Sequence, residues 1–146
     1  MGRPQQPPVG LAVSRVARTL NRAFEDALAA AGGSQSVWLV LLQLKVNPGA
    51  TQRDLAEALE LREATMTHHL SGMERDGLLT RRRDPANRRV HQIELTEEGE
   101  RAFHRLRVAA TEFDERLRAG IPPERLAELG DTLAMLVANV QHAASH

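Results

Sequence analysis

The chain contains no cysteine and no tyrosine, and only three Phe and one Trp among 146 residues. Without cysteine there is no disulfide, no thiolate metal site, no nucleophilic thiol and no cysteine-based redox sensing. No apolar run reaches the roughly 18 residues needed to span a bilayer. The first ten residues, MGRPQQPPVG, lack the apolar stretch of a secretory signal. A cytoplasmic protein without a membrane partner is therefore expected. Net charge is missing as well, with 19 Lys and Arg balanced by 19 Asp and Glu. No Ser-His-Asp spacing, Gly-rich phosphate loop or pair of facing carboxylates stands out. That gives no catalytic residues, no cofactor and no reason to expect an enzyme.

What is present favours helix. Hydrophobic residues make up 42% of the chain, and Ala and Leu dominate them. Pro and Gln make residues 1–10 read as a flexible tail. From Leu11 to Ala31, Val13, Val16, Leu20, Phe24 and Leu28 recur every three or four residues, as on an amphipathic helix. Gly32-Gly33 ends it, and Ser34 is a plausible N-cap for SVWLVLLQLKV, a segment apolar nearly all round and so expected to be buried. Asn47-Pro48-Gly49 closes that helix. A third helix is expected over Thr51–Glu60, with Asp54 completing an imperfect capping box and Leu55, Ala56 and Leu59 facing inward. A fourth follows over Arg62–Asp76, with Gly77 just past its end.

The period then changes. LLTRRR and RVHQIEL flank DPAN, whose Asp, Pro and Asn favour tight turns, and the second segment alternates as a strand does. A β-hairpin is expected. Thr96-Glu97-Glu98 suits the start of a further helix, in which Phe103, Leu106, Ala110, Phe113 and Leu117 are spaced by three and four. Pro122-Pro123 opens the last helix, where Leu126, Leu129, Leu133, Leu136 and Val140 repeat that spacing. The expected fold is mainly α with a small β-wing.

Two features combine into a candidate site. On the fourth helix Met66, Leu70, Met73 and Gly77 share one side, and Ala64, His68, Ser71 and Arg75 the other, flanked by Thr65 and Thr67. Small and hydrogen-bonding side chains near a helix start suit a DNA major groove, where the backbone approaches closely and Thr and His reach base edges. The plain alternative is a solvated helix face. The hairpin then places Arg81, Arg82, Arg83, Arg88 and Arg89 against Asp84 alone. Such arginines can lie along phosphates, and one at the tip can enter a narrow minor groove. A charge run is usually just solvated, but this one directly follows a helix-turn-helix. Residues 48–96 nevertheless hold eight Arg and eight Asp or Glu, so binding would depend on how the charge is arranged, with modest nonspecific affinity.

TQRDLAEALELREATMTHHLSGMERDGLLTRRRDPANRR and the IELTEEG after it resemble the multiple antibiotic resistance regulator (MarR) family of bacterial winged-helix transcription factors. The matching points are Leu55-Ala56, Thr65-Met66-Thr67, Glu74 and Gly77-Leu78, and the likeness extends from about Leu11 to Val140. It implies a homodimer whose terminal helices (11–31 and 96–143) interlock around a DNA-binding lobe (34–95). Val16, Leu20, Phe113, Leu117, Leu126, Leu129, Leu133, Leu136 and Val140 would form the dimer contact. Three long apolar stripes are also hard to bury within one subunit.

The resemblance further implies a pseudo-palindromic operator, most often repressed, and release by a small lipophilic or aromatic effector. Thr65, Thr67 and His68 would read bases, with Ala64 allowing close approach. Arg62, Ser71, Arg75, Arg81, Arg82, Arg83 and Arg88 would contact the duplex, largely at phosphates. The family's wing commonly reads Asp-x-Arg. Here Asn87-Arg88-Arg89 stands at that place, making Arg89 the minor-groove candidate with a less firmly oriented partner in Asn87. Arg62 also replaces the usual capping residue of the recognition helix, and arginine is a poor N-cap. Trp38 fits core packing, with an effector pocket as its functional alternative. Neighbouring His68 and His69 point about 100° apart on a helix and cannot easily share an ion, so no metal is expected. A helical dimer that uses the same lobe for protein partners is the competing reading, and the neutral lobe is its support.

Overall fold

The structure, a computed structural model, describes residues 6–87 and 91–144. Its element order is α1 (Val9–Ala30), α2 (Gln35–Val46), α3 (Gln52–Ala58), α4 (Glu63–Arg75), β1 (Leu79–Arg83), β2 (His91–Leu95), α5 (Glu97–Arg118) and α6 (Pro123–Ala143). This is the winged-helix arrangement expected. Part of the proposed tail, residues 1–5, lies outside the described residues, and α1 begins two residues sooner than its apolar repeat. Pro8 sits at its N-cap, where its missing N–H costs the helix nothing.

The boundaries follow from local chemistry. Ser34 Oγ accepts from Val37 N at 3.2 Å and starts α2. At α3 the capping box is complete: Thr51 Oγ1 accepts from Asp54 N at 3.1 Å, and Asp54 Oδ2 accepts from Thr51 N at 2.9 Å. Asp54 serves where Glu or Gln is usual, and the hydrogen bonds its carboxylate accepts from Thr51, the backbone N–H first, hold it below the ordinary carboxylate range. α3 stops at Ala58, short of the expected Glu60, because Glu60 turns to φ 54° and Leu61 N bonds back to Ala56 O at 2.9 Å. At the end of α4, Gly77 (φ 77°) lets its N–H reach Glu74 O, while Leu78 N reaches Met73 O. That pair of bonds is a Schellman closure.

The chain divides into two compact units, 1–111 and 112–146. The first holds a single core built from Leu28, Trp38, Val40, Leu41, Leu44, Leu55, Met66, Leu70, Met73, Leu79, Ile93, Phe103 and Leu106, with Ala50, Ala56 and Ala102 between them. Each large member contributes roughly 1.5–3 kcal/mol by leaving water. Trp38 and Phe103 stack there with ring centroids 5.6 Å apart. α5 starts close beneath the end of α4: Thr96 Oγ1 donates to Gly77 O and accepts from Gly99 N. Gly99 is required by that approach, since a Cβ there would land on the Leu78 carbonyl oxygen.

The second unit has no buried residue among those described. Leu129, Leu133, Met135, Val137 and Val140 of α6 are all exposed. In the first unit, α1 anchors its C-terminal end in the core through Leu28, whereas Val9, Leu11, Val13, Val16 and Leu20 are exposed. No single helix among the described residues is long and apolar enough to cross a membrane.

Candidate nucleic-acid interface

α3, the turn through Glu60 and α4 form the helix-turn-helix. Met66, Leu70 and Met73 bury one side of α4 against the core. The other side is therefore presented outward, and Arg62, Ala64, Thr65, Thr67, His68 and Arg75 are all exposed. Arg62 stands at the N-cap without a side-chain cap hydrogen bond, as expected of arginine. His68 is exposed and His69 half-buried, their rings 6.1 Å apart.

The wing is an antiparallel pair with Leu79 opposite Leu95, Arg81 opposite Ile93 and Arg83 opposite His91. An isolated antiparallel bridge, Thr51 to Gln92, ties the start of α3 to β2. At the turn, Asp84 Oδ1 accepts from Ala86 N at 2.9 Å and Asp84 O from Asn87 N at 3.2 Å, so Asp84–Asn87 make the tight turn that DPAN implied. Arg82 and Arg83 are exposed, as is Asn87. Arg88 and Arg89, including the minor-groove candidate, lie outside the described residues.

Two expected DNA contacts face each other instead of outward. Strand alternation from buried Leu79 puts Arg81 on the inner face of the hairpin, and its side chain is only 17% exposed. Its Nη2 donates to Ser71 Oγ at 3.0 Å and to Glu74 Oε1 at 3.3 Å, while its backbone N–H donates to Glu74 Oε2 at 3.1 Å. Arg81 and Ser71 thus join the wing to α4. The sequence places both along the duplex and does not foretell this link between the wing and α4.

One residue near the outer face carries no sequence signal. Gln52, the first residue of α3, donates from Nε2 to Thr67 Oγ1 at 2.6 Å. It lies off the α4 wheel, so periodicity along that helix alone cannot find it. Trp38, considered for an effector pocket, is 8% exposed in the core. A different cavity of about 230 Å³ opens between the start of α2 and the second half of α4, with Ser34, Ser36, His68, Arg75 and Asp76 in its lining.

Residues 34–91 match the sequence model of the MarR family. The chain is 28% identical, over 114 residues, to an uncharacterised helix-turn-helix transcriptional regulator, YdgJ, of Bacillus subtilis; the match spans 78% of this chain and 70% of that one. Among solved structures it is similar to the transcriptional repressor CouR of Rhodococcus jostii RHA1 bound to a 23-mer DNA duplex (27% identity, TM-score 0.81, 89% of this chain and 92% of that one). It is also similar to the PcaV transcriptional regulator of Streptomyces coelicolor in complex with its natural ligand (25% identity, TM-score 0.77, 92% and 98%).

Proposed function

We propose that this chain is a DNA-binding transcriptional regulator of the MarR family and acts as a homodimer on a pseudo-palindromic operator. The carrying observation is the outer face of α4, where Arg62, Ala64, Thr65, Thr67 and His68 are exposed beside the exposed Arg82 and Arg83 of the wing. Short side chains at the helix start admit a major groove, and the flanking guanidiniums suit phosphates. Arg88 and Arg89 belong to the same proposal from their sequence position.

Dimerisation is supported by exposed apolar side chains that one subunit leaves uncovered. On α6 Leu129 is 51% and Val140 68% exposed, and on α1 Val16 is 56% exposed. Two-fold symmetry would bring the α4 helices to equivalent half-sites. Repression follows if the operator overlaps a promoter. Release by a small aromatic or lipophilic effector is supported by the ligand complex of the PcaV relative. In this chain Trp38 is 8% exposed and offers a ligand little surface, whereas the cavity beside α4, with Ser34, Ser36, His68, Arg75 and Asp76 in its lining, suits the polar end of an aromatic acid.

The test is binding of the purified protein to the DNA upstream of its own gene, across a salt series, with an unrelated duplex as control. Selective binding that falls steeply with salt is expected. Absence of binding to either duplex at low salt would refute the reading and favour protein partners.

A further inference from the structure

Thr67, on the outer face of α4, is the obvious base reader by position, yet its hydroxyl is already committed. Its single proton goes to Glu63 O, four residues back, at 2.9 Å. The hydroxyl must then accept from Gln52, which fixes the identity of the facing amide atom as nitrogen. With its proton spent, Thr67 has no donor for a base. It keeps its methyl group and one lone pair.

Gln52 is left with one amide proton and a carbonyl oxygen that accepts no other described hydrogen bond. Its backbone has little freedom. Thr51 before it is held by the capping box and by the bridge to Gln92. Only the amide end remains adjustable, and Thr67 orients that. A free N–H beside a free C=O is the pattern that pairs with adenine, donating to N7 and accepting from N6–H.

We propose that Gln52, oriented by Thr67, reads an adenine in each operator half-site, with Thr67 supplying apolar contact and the orienting hydroxyl instead of a donor. The proposal rests on the operator-binding reading above. Specificity at that base then belongs to a pair spanning both helices of the helix-turn-helix.

The test begins with selection from duplexes carrying 24 randomised base pairs, using the full-length chain. Fluorescence anisotropy on the selected duplex and its single-pair substitutions follows. The expected consensus carries A·T at one symmetric pair of positions. Gln52→Ala should remove discrimination there, roughly tenfold per half-site, while preserving discrimination elsewhere. Thr67→Val keeps the shape and the methyl but loses the orienting acceptor. It should relax the same position, and the double variant should be no worse than Gln52→Ala alone. Gln52→Glu should shift the preference toward cytosine, whose amino group a carboxylate accepts. Circular dichroism melts of each variant separate lost reading from lost fold.

If Gln52→Ala weakens every duplex equally and lowers the salt slope, Gln52 is a phosphate contact and the proposal is wrong. Unchanged affinities at all positions would also overturn it. Failure of the unaltered chain to enrich any sequence would be a different result, refuting operator recognition itself and this inference with it.

Discussion

Replacing Arg81 with alanine separates two roles that look identical in the sequence. The guanidinium is held by Ser71 and Glu74 at 3.0 and 3.3 Å, on a side chain 17% exposed. A hydrogen bond involving a charged group contributes about 1.5–3 kcal/mol when well shielded. Glu74 is 42% exposed, so solvent screens the ion pair toward the weaker surface range of about 0–1 kcal/mol. With the packing of the arginine stem included, Arg81→Ala should cost about 1–2 kcal/mol. At fixed protein concentration that lowers Tm by about 3–6 °C.

The DNA readout should move the other way. A cation that neutralises a phosphate adds about 0.9 to the slope of log affinity against log salt, so a dimer loses about 2 when both copies go. Arg82→Ala, at an exposed position, should reduce the slope by about 2 and leave Tm alone. Arg81→Ala should lower Tm and leave the slope alone. Anisotropy titrations from 50 to about 200 mM salt, paired with thermal melts, measure both. A slope loss for Arg81→Ala equal to that of Arg82→Ala would mean the guanidinium leaves Glu74 for phosphate, and the assignment would fail.

Three further substitutions test other parts of the argument. Gly99→Ala drives a Cβ into the Leu78 carbonyl oxygen, a backbone atom that cannot rotate away, so destabilisation of about 3 kcal/mol or more is expected in a denaturant melt. Leu133→Asp on α6 puts a charge where the proposed dimer buries an apolar side chain. Sedimentation at micromolar concentration should show monomer, with operator binding weakened in step. For Asp54 the folded carboxyl titrates below its ordinary value, so its contribution is complete above about pH 4 and is lost as pH falls through the depressed value. The Tm difference between the unaltered chain and Asp54→Ala should hold at neutral pH and close in acid. A gap that widens in acid would reverse the assigned sign.

Much of this architecture is legible because its signals are local. Ser34 and Thr51 cap helices in the structure as their side-chain chemistry implies, and Gly77 closes α4 by the left-handed turn that glycine favours. Glu60 adopts a similar φ without being glycine, so nothing in the sequence marks the early end of α3. Arg81 shows a different limit. Its alternation with Leu79 was readable, yet a run of arginines draws attention to charge before strand parity. Gln52 was not readable at all, because its partner lies 15 residues away on another helix and neither residue's own periodicity links them. Contacts within one element follow from spacing, whereas contacts between elements need the fold.

Those contacts between elements constrain how an effector can act. Gln52–Thr67 ties α3 to α4, Arg81 ties β1 to Ser71 and Glu74, and the Thr51–Gln92 bridge ties α3 to β2. Distorting the recognition helix within its lobe would break several of these at once. Moving the lobe as a body breaks none, so the proposed ligand beside α4, whose cavity is lined wholly by the lobe, changes the spacing of the two recognition helices only through contacts it makes beyond the lobe. It must favour the non-binding spacing by its own affinity difference, about 2.8 kcal/mol for a hundredfold loss of operator affinity. The cysteine-free sequence makes the measurement direct, since Glu57→Cys on exposed α3 gives one spin label per subunit and no background. An aromatic acid that releases operator should shift the label-to-label distance and leave amide exchange within α3 and α4 unchanged. Release of DNA at constant distance, with faster exchange in α4, would show that the lobe deforms and that these ties do not govern it.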